Sequence, residues 1–347
     1  MNTMVTLLAA EELRERHDRL GREGAATSLA DSALRLGVTE VELVAAQCGV
    51  RSAELSLKPA RLLPLLSSLG EVRMVTGNGA CAQENIGRYR PVEVRGNVAT
   101  MRADRLDICF FLSHWGSCHA VHEQGDDSLR CYDRAGRLTH AVHLTAGSRR
   151  DAYDALVHQH VRKRWQMPCV EPARLSSTGV IRDTEALRQQ WLSQRDADEF
   201  QLMLQRLRAP RLAALQAASP DLAQEVGACA ITHALKIAAG AQLPLQCRVI
   251  NRAVVQTHGG VPARLRRRGD WFSAEDEGHV FSVNTPAVDS AWVVAVPVAG
   301  GWRLDLEAYD RTGEMALRLS GMARGDHADS GAWTQLLRGL CDEPLRV

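Results

Sequence analysis

Apolar residues recur along this chain at two periods, and the change from one to the other happens twice in the same order. Leu187, Trp191 and, after a polar interval, Phe200, Leu204 and Leu207 fall at helical spacing. Text of similar character covers SLADSALRLGVTEVELVAAQ (28–47), PARLLPLLSSLG (59–70) and SPDLAQEVGACAITHALKIAAG (219–240), each predicted helical. Shorter apolar runs follow in each half. In the first they are VRMVTG, NVATMRA, LDICFFL, LRCYD and LTHAVHL. In the second they are LQCRVINRAVVQ, HVFSVN, AWVVAVPV, RLDLEAYD and MALRLSG. Breaks rich in Gly and Asp separate them, as hairpins require. DAYDALVHQHV (151–161) and SGAWTQLLRGL (330–340) read as short closing helices. Helices, a strand meander, then a helix predict an α+β fold with a large antiparallel sheet in each half, not a βαβ alternation.

The halves also share words. YDRAG at 132–136 returns as YDRTG at 309–313, an offset of 177 that also carries Trp115 onto Trp292. Upstream, an offset of 173 lays GNGACAQENIG (77–87) on INRAVVQTHGG (250–260), so Asn78 meets Asn251, Gln83 meets Gln256 and Gly87 meets Gly260. Three anchors in one order, separated by one four-residue slip, predict a tandem duplication. The repeats are expected at 1–167 and 184–347, joined by a linker at 168–183 that includes PCVEPARLSSTG.

Composition narrows the function classes. With 347 residues, 45% hydrophobic, the chain can bury a core without covalent staples. A net charge of +1 gives no broad basic field for nucleic acid. Nine cysteines without a CxxC pair suit a reducing cytoplasm better than a disulfide framework. The N-terminal MNTMVTLLAAEELRERHD reads as a helix start, not a signal peptide, and no apolar run is long enough to span a membrane.

Chemical motifs are sparse. No GxGxxG, Walker loop or GxSxG occurs, which lowers nucleotide and serine-hydrolase readings. Histidines gather at 114, 119, 122, 140, 143, 158 and 160 without zinc-site spacing, so they read as strand and hairpin residues facing water. RLRRR (264–268) reads as a solvated hairpin. Cys109 and His258 lie in strand text and are residue types that bind transition metals or haem iron. The competing readings are a buried apolar thiol for Cys109 and a turn residue for His258.

NGACAQENIGRY, RADRLDICFFLSHWGS, the doubled YDRxG and the duplicated plan together resemble the cytoplasmic haem-trafficking and haemin-degrading proteins of the HemS/ChuS type, from about residue 10 to 340. The resemblance implies two similar halves and a haem b held in a cleft between sheet and helices. It also implies exchange of haem with an importer or a haem oxygenase, and in some members haem breakdown. The family's axial His, in a Trp-x6-His-Gln-Phe context, falls here at Asp198, between Trp191 and Phe200. The distal Arg position is Cys109, with Phe111 and His114 just beyond it, and a propionate-holding Arg is kept as Arg211. An alternative ligand His falls at Ser282, a Lys at Val296, and a Tyr and a Gln at Ser320 and Met322.

A carboxylate is a poorer axial ligand for haem iron than imidazole. Cys109 or a nearby His, with His258 and His114 as the weaker choices, is therefore the expected substitute. The expectation is a haem carrier with altered ligation rather than a degrading enzyme. Its alternative is a haem-free paralogue using the same scaffold as a binding or regulatory module.

Overall fold

The computed structural model describes residues 3–24, 28–123, 125–172, 181–299, 301–322 and 331–346. Residues 173–180 of the expected linker lie outside these. The chain forms two units. The first comprises residues 1–77, 84–173 and the short stretch 252–255; the second comprises 78–83, 174–251 and 256–347.

The first unit opens with α1 (Thr3–Arg22), α2 (Leu29–Leu36) and α3 (Glu40–Ala46), then β1 (Ser52–Glu54) and α4 (Pro59–Leu62). A meander follows: β2 (Gly70–Gly77), β3 (Cys81–Arg88), β4 (Val92–Arg95), β5 (Val98–Arg102), β6 (Leu106–Phe111), β7 (Trp115–Glu123), β8 (Asp126–Asp133) and β9 (Leu138–Ser148). Helix α5 (Arg150–His160) closes it. Hydrogen bonding runs in the order β1-β7-β8-β9-β2-β3, while β4, β5 and β6 form a second antiparallel set. The backbone N–H of Phe111 donates to the carbonyl of Ala253 (2.8 Å), which is why 252–255 count with this unit.

The second unit repeats the plan: α6 (Thr184–Leu192), α7 (Ala197–Arg206), α8 (Arg211–Gln216), β10 (Ala223–Val226) and α9 (Ala230–Gly240). Then come β11 (Leu245–Ile250), β12 (Val254–Gly260), β13 (Arg264–Arg268), β14 (Trp271–Asp276), β15 (His279–Asn284), β16 (Ser290–Val298), β17 (Gly301–Tyr309), β18 (Met315–Gly321) and α10 (Gly331–Arg338). The order is β10-β16-β17-β18-β11-β12, with β13, β14 and β15 as the second set. Asn284 N–H donates to the Ala80 carbonyl (2.8 Å), and Asn78 Nδ2 donates to the carbonyls of Ile250 and Ala316, both at 2.7 Å. The fold is thus a tandem α+β duplication, as the sequence predicts. Among the described residues no helix is long and apolar enough to cross a membrane.

One helical expectation resolves into two elements and another is corrected. The run 28–47 is two helices, because Gly37 takes φ +71° and ends α2 while Thr39 and Glu42 start α3 with a reciprocal capping box. In 219–240 the first part is strand β10, since Ala223–Val226 pairs with β16; tertiary pairing overrides a helical pattern. A second correction concerns the histidines. His119 and His140 are buried, 3% and 1% exposed, rather than facing water. Among the described residues no group of three or more His, Cys, Asp or Glu is placed to hold a metal ion.

The repeated YDRxG phrases occupy matching turns. Asp133 N–H donates to Arg137 O (2.9 Å) and Asp310 N–H to Glu314 O (3.0 Å), and the glycines take φ +77° at 136 and +74° at 313. Their surroundings differ. A Cβ on Gly136 would lie 2.9 Å from Val41 Cγ1, whereas on Gly313 the nearest atom, Leu212 Cδ2, is 3.4 Å away. Both Ala substitutions carry the left-handed backbone cost of about 1 kcal/mol. Gly136→Ala is expected to lose about 1–3 kcal/mol more from overpacking, which parallel denaturant titrations of the two variants would read.

Candidate functional site

In the first unit, β6 has a two-faced pattern. Ile108 and Phe110 are buried at 1% and 0% exposure, and alternation turns Cys109 and Phe111 to the other face, where both are half-buried. Cys109 is therefore not the core thiol of the competing reading. Thr100 on β5 pairs with Cys109, Val98 with Phe111, and Arg102 with Asp107. Burial pushes the Cys109 thiol above its ordinary value, and the Arg102 guanidinium pulls it back. The strand is followed by a 3-10 turn, Leu112–His114, that leaves His114 exposed. Trp115 next to it is buried and packs edge-on against Phe110 at 5.8 Å.

In the second unit, α6 and α7 lay Leu187, Trp191, Phe200, Met203 and Leu204 on Trp292, Val294 and Val296 of β16. Trp191 Nε1–H donates to the Ala295 carbonyl at 3.1 Å. Asp198 is on the other side of α7, exposed in its first turn. The Asp196 side chain caps that turn, accepting from the N–H groups of 198 and 199 at 2.9 and 2.8 Å. A carboxylate at position 198 favours the helix start through the macrodipole.

Arg211 starts α8 and is already engaged. Its Nε and Nη2 donate to the two carboxylate oxygens of Glu307 at 2.8 and 2.7 Å, and its guanidinium lies 4.8 Å above the Phe200 ring. Glu307, fully buried, also accepts from Tyr309 Oη (2.7 Å) and pairs with Arg318 Nε (3.0 Å). Burial alone would raise the Glu307 carboxyl, but Arg211 and Arg318 outweigh it and hold it down at about 2. Against desolvation, Glu307 in turn holds the Arg211 guanidinium above its ordinary value.

The first unit carries this clamp with the charges exchanged. Arg130 lies 177 residues before Glu307, and Glu40 starts α3 as Arg211 starts α8. Arg130 Nη1 donates to Glu40 (3.2 Å), Tyr132 Oη donates to the same oxygen (3.0 Å), and Arg130 Nη2 reaches Glu123 (3.0 Å). Neither pair follows from hydrophobic periodicity. The signal was available in the offset, which sets an Arg beneath a Glu two residues before each YDRxG tyrosine.

His258 is a strand residue of β12, not a turn residue, and is 5% exposed. Its ring stacks on His279 with centroids 3.6 Å apart and 9° between planes, and Nε2 is 3.4 Å from Asp276 Oδ2. In the amide orientation that satisfies both its atoms, Gln83 accepts from the His258 backbone N–H (3.1 Å) and donates to the Gln256 carbonyl (3.2 Å). The cavity beside the stack holds only about 30 Å³. Of the substituted positions, the Ser282 hydroxyl is 2.8 Å from that of Ser273, and Val296 and Ser320 are buried. Cys109, Phe111 and His114 thus belong to the first unit, and Asp198, Arg211 and His258 to the second.

Two copies of one helix-on-sheet unit, each clamped by an Arg–Glu pair at the start of a short helix, define a duplicated α+β scaffold. The chain belongs to the haemin-degrading HemS.ChuX domain family, whose model matches residues 37–160 and 208–340. It is 24% identical over 323 residues to the hemin transport protein HmuS of Yersinia pestis, covering 91% of this chain and 93% of that one. Among solved structures it is similar to holo-PhuS, a heme-binding protein from Pseudomonas aeruginosa: TM-score 0.89, 26% identity, 95% of this chain and 99% of that one. The heme-degrading enzyme ChuS of Escherichia coli O157:H7 shares the fold, with a TM-score of 0.86 at 21% identity over 96% of this chain and 99% of that one.

Proposed function

We propose that this chain binds haem as cargo in haem utilisation, passing it between an importer and an oxygenase, with Cys109 as the protein ligand to the iron. Family membership and whole-length similarity to a hemin transport protein and a heme-binding protein support the general reading. The observation that carries the ligand assignment is the outward face of β6. There Cys109 stands beside Phe111 on a half-exposed strand face, with Arg102 on the neighbouring strand. A thiol can coordinate iron as thiolate, an aromatic ring suits a flat macrocycle, and a guanidinium suits a propionate. His258 is the poorer candidate, because its ring is buried against His279. Asp198 serves the start of α7, so a degrading enzyme built on the family's histidine is not proposed.

Titrating the purified chain with hemin is expected to give a sharp Soret band at one equivalent. Cys109→Ala should shift that band and weaken binding at least about tenfold, while His258→Ala leaves the band position unchanged. Burial holds the Cys109 thiol protonated at neutral pH, so iron must displace a proton. Affinity should therefore rise with pH, by up to about tenfold per unit while the thiol remains protonated. Identical spectra for wild type and Cys109→Ala would remove Cys109 as ligand. The absence of any Soret band would favour the haem-free reading, to which the engagement of Arg211 by Glu307 also points.

A further inference from the structure

The first unit contains a cleft of about 490 Å³ between α1, the end of α3 and β7, and no residue of β6 lines it. Residues one turn apart on α1, His17 with Gly21 and Asp18 with Arg22, form one wall. Leu29, Val44 and Val121, buried at 3%, 1% and 4% exposure, form the apolar floor.

Four polar groups of the cleft are linked in a chain, Asp18–Arg51–Gln47–His17. Arg51 pairs with Asp18, and its Nε donates to Gln47 Oε1 at 3.1 Å. Gln47 must then turn its nitrogen to His17 Nδ1, 3.1 Å away, which makes Nδ1 an acceptor and leaves the proton of a neutral imidazole on Nε2. Burial and then Arg51 lower the His17 pKa, consistent with that neutral form. The acids around the cleft are held by bases: Asp18 by Arg51 and Glu123 by Arg130. Arg22, exposed at the mouth, has no acidic partner among the described residues.

Gly21 supplies an independent observation. A Cβ built there meets nothing within 4 Å, so packing does not demand a glycine in this last turn of α1. Its effect is to leave the wall open at the cleft. A volume in the range of small-molecule sites, an apolar floor, an imidazole N–H donor and the Arg22 guanidinium at the rim match one ligand chemistry.

We propose that this cleft is a binding site for a small organic anion with an apolar body, a carboxylate whose charge meets Arg22 and the His17 N–H. The site goes beyond the haem reading and is independent of Cys109. The probe is 8-anilinonaphthalene-1-sulfonate, added to the full chain and displaced by decanoate.

Wild type is expected to bind one equivalent with a fluorescence rise. Gly21→Leu, a better helix former that fills the cleft, should raise the Kd at least about tenfold, whereas Gly21→Ala should stay within about threefold. Arg22→Glu should weaken binding by roughly three- to tenfold through like-charge repulsion. Cys109→Ala should leave it unchanged, so a failure of the haem reading and a failure of this one give different results. Undiminished binding by Gly21→Leu, no saturable binding by wild type, or displacement by decylamine as effective as by decanoate would overturn the proposal. Circular dichroism of Gly21→Ala and Gly21→Leu checks that both are folded.

Discussion

Glu307→Gln is expected to destabilise the second unit by about 3–5 kcal/mol, one of the two largest effects expected here, because it removes the bidentate carboxylate partner of Arg211 and leaves Arg318 only the longer ion pair to Asp305 at 3.8 Å. The carboxylate is fully buried and takes three partners, two of them guanidinium groups. Replacing one oxygen by an amide keeps the shape while removing the charge and one acceptor. Denaturant unfolding followed by tryptophan fluorescence reads the loss, since Trp191, Trp292 and Trp302 lie in the core that Arg211 helps to close. The double variant Glu307→Leu with Arg211→Leu should recover part of it, with a coupling energy above about 1 kcal/mol. Glu40→Gln should cost less, since Arg130 retains Glu123 when Glu40 is neutralised. The pH window follows from the folded value of about 2, which lies below the ordinary 4.5. A depressed carboxyl contributes stability above about pH 4.5, and that contribution, about 3 kcal/mol, is lost as pH falls towards 2.

His140 is expected to act earlier in an acid titration, and in the first unit. Its ring is 1% exposed, its Nδ1 is 2.9 Å from Thr76 Oγ1, its Nε2 meets the Tyr89 hydroxyl, and Phe110 packs edge-on at 5.4 Å. Burial, helped by His143, lowers its pKa to about 3. The unfolded chain takes up the proton near pH 6.5 while the folded chain refuses it until about 3. Stability is therefore full above pH 6.5 and falls by about 1.4 kcal/mol per unit below it, levelling near pH 3. His119, lowered by burial to about 4, adds to the slope over its own window. His140→Gln should remove one proton from that slope while costing some stability at pH 7. Denaturant midpoints measured from about pH 7 to 4 separate the two effects.

These two groups show where sequence reading stops. Nothing in LTHAVHL distinguishes His140 from His143, two strand histidines three apart; only the fold decides which enters the core. Strand β3 was legible as a repeated motif but not as a strand, because it buries Gln83 and Asn85, at 0% and 5% exposure, where a strand pattern calls for apolar residues. Gln83 is tolerated there because its amide has partners on Gln256 and His258, 173 and 175 positions away. The site residues were legible as identities only. That Cys109 stands half-buried while His258 is enclosed is a property of two strands' facing, and a one-residue change of register would exchange it.

The sequence by itself determined the duplication, the α+β order of elements and the matching YDRxG turns. Those depend on local periodicity and on residues such as Gly136 and Gly313, whose backbone angles few other residues adopt. The tertiary structure alone decided the pairing within the two clamps, Glu40 with Arg130 and Arg211 with Glu307. It also decided which histidines are shut away from protons and which side chains stand around the cleft behind Gly21. The physical reason is that charge pairing and desolvation depend on distance in space, and the partners here are separated by about ninety residues or more of chain.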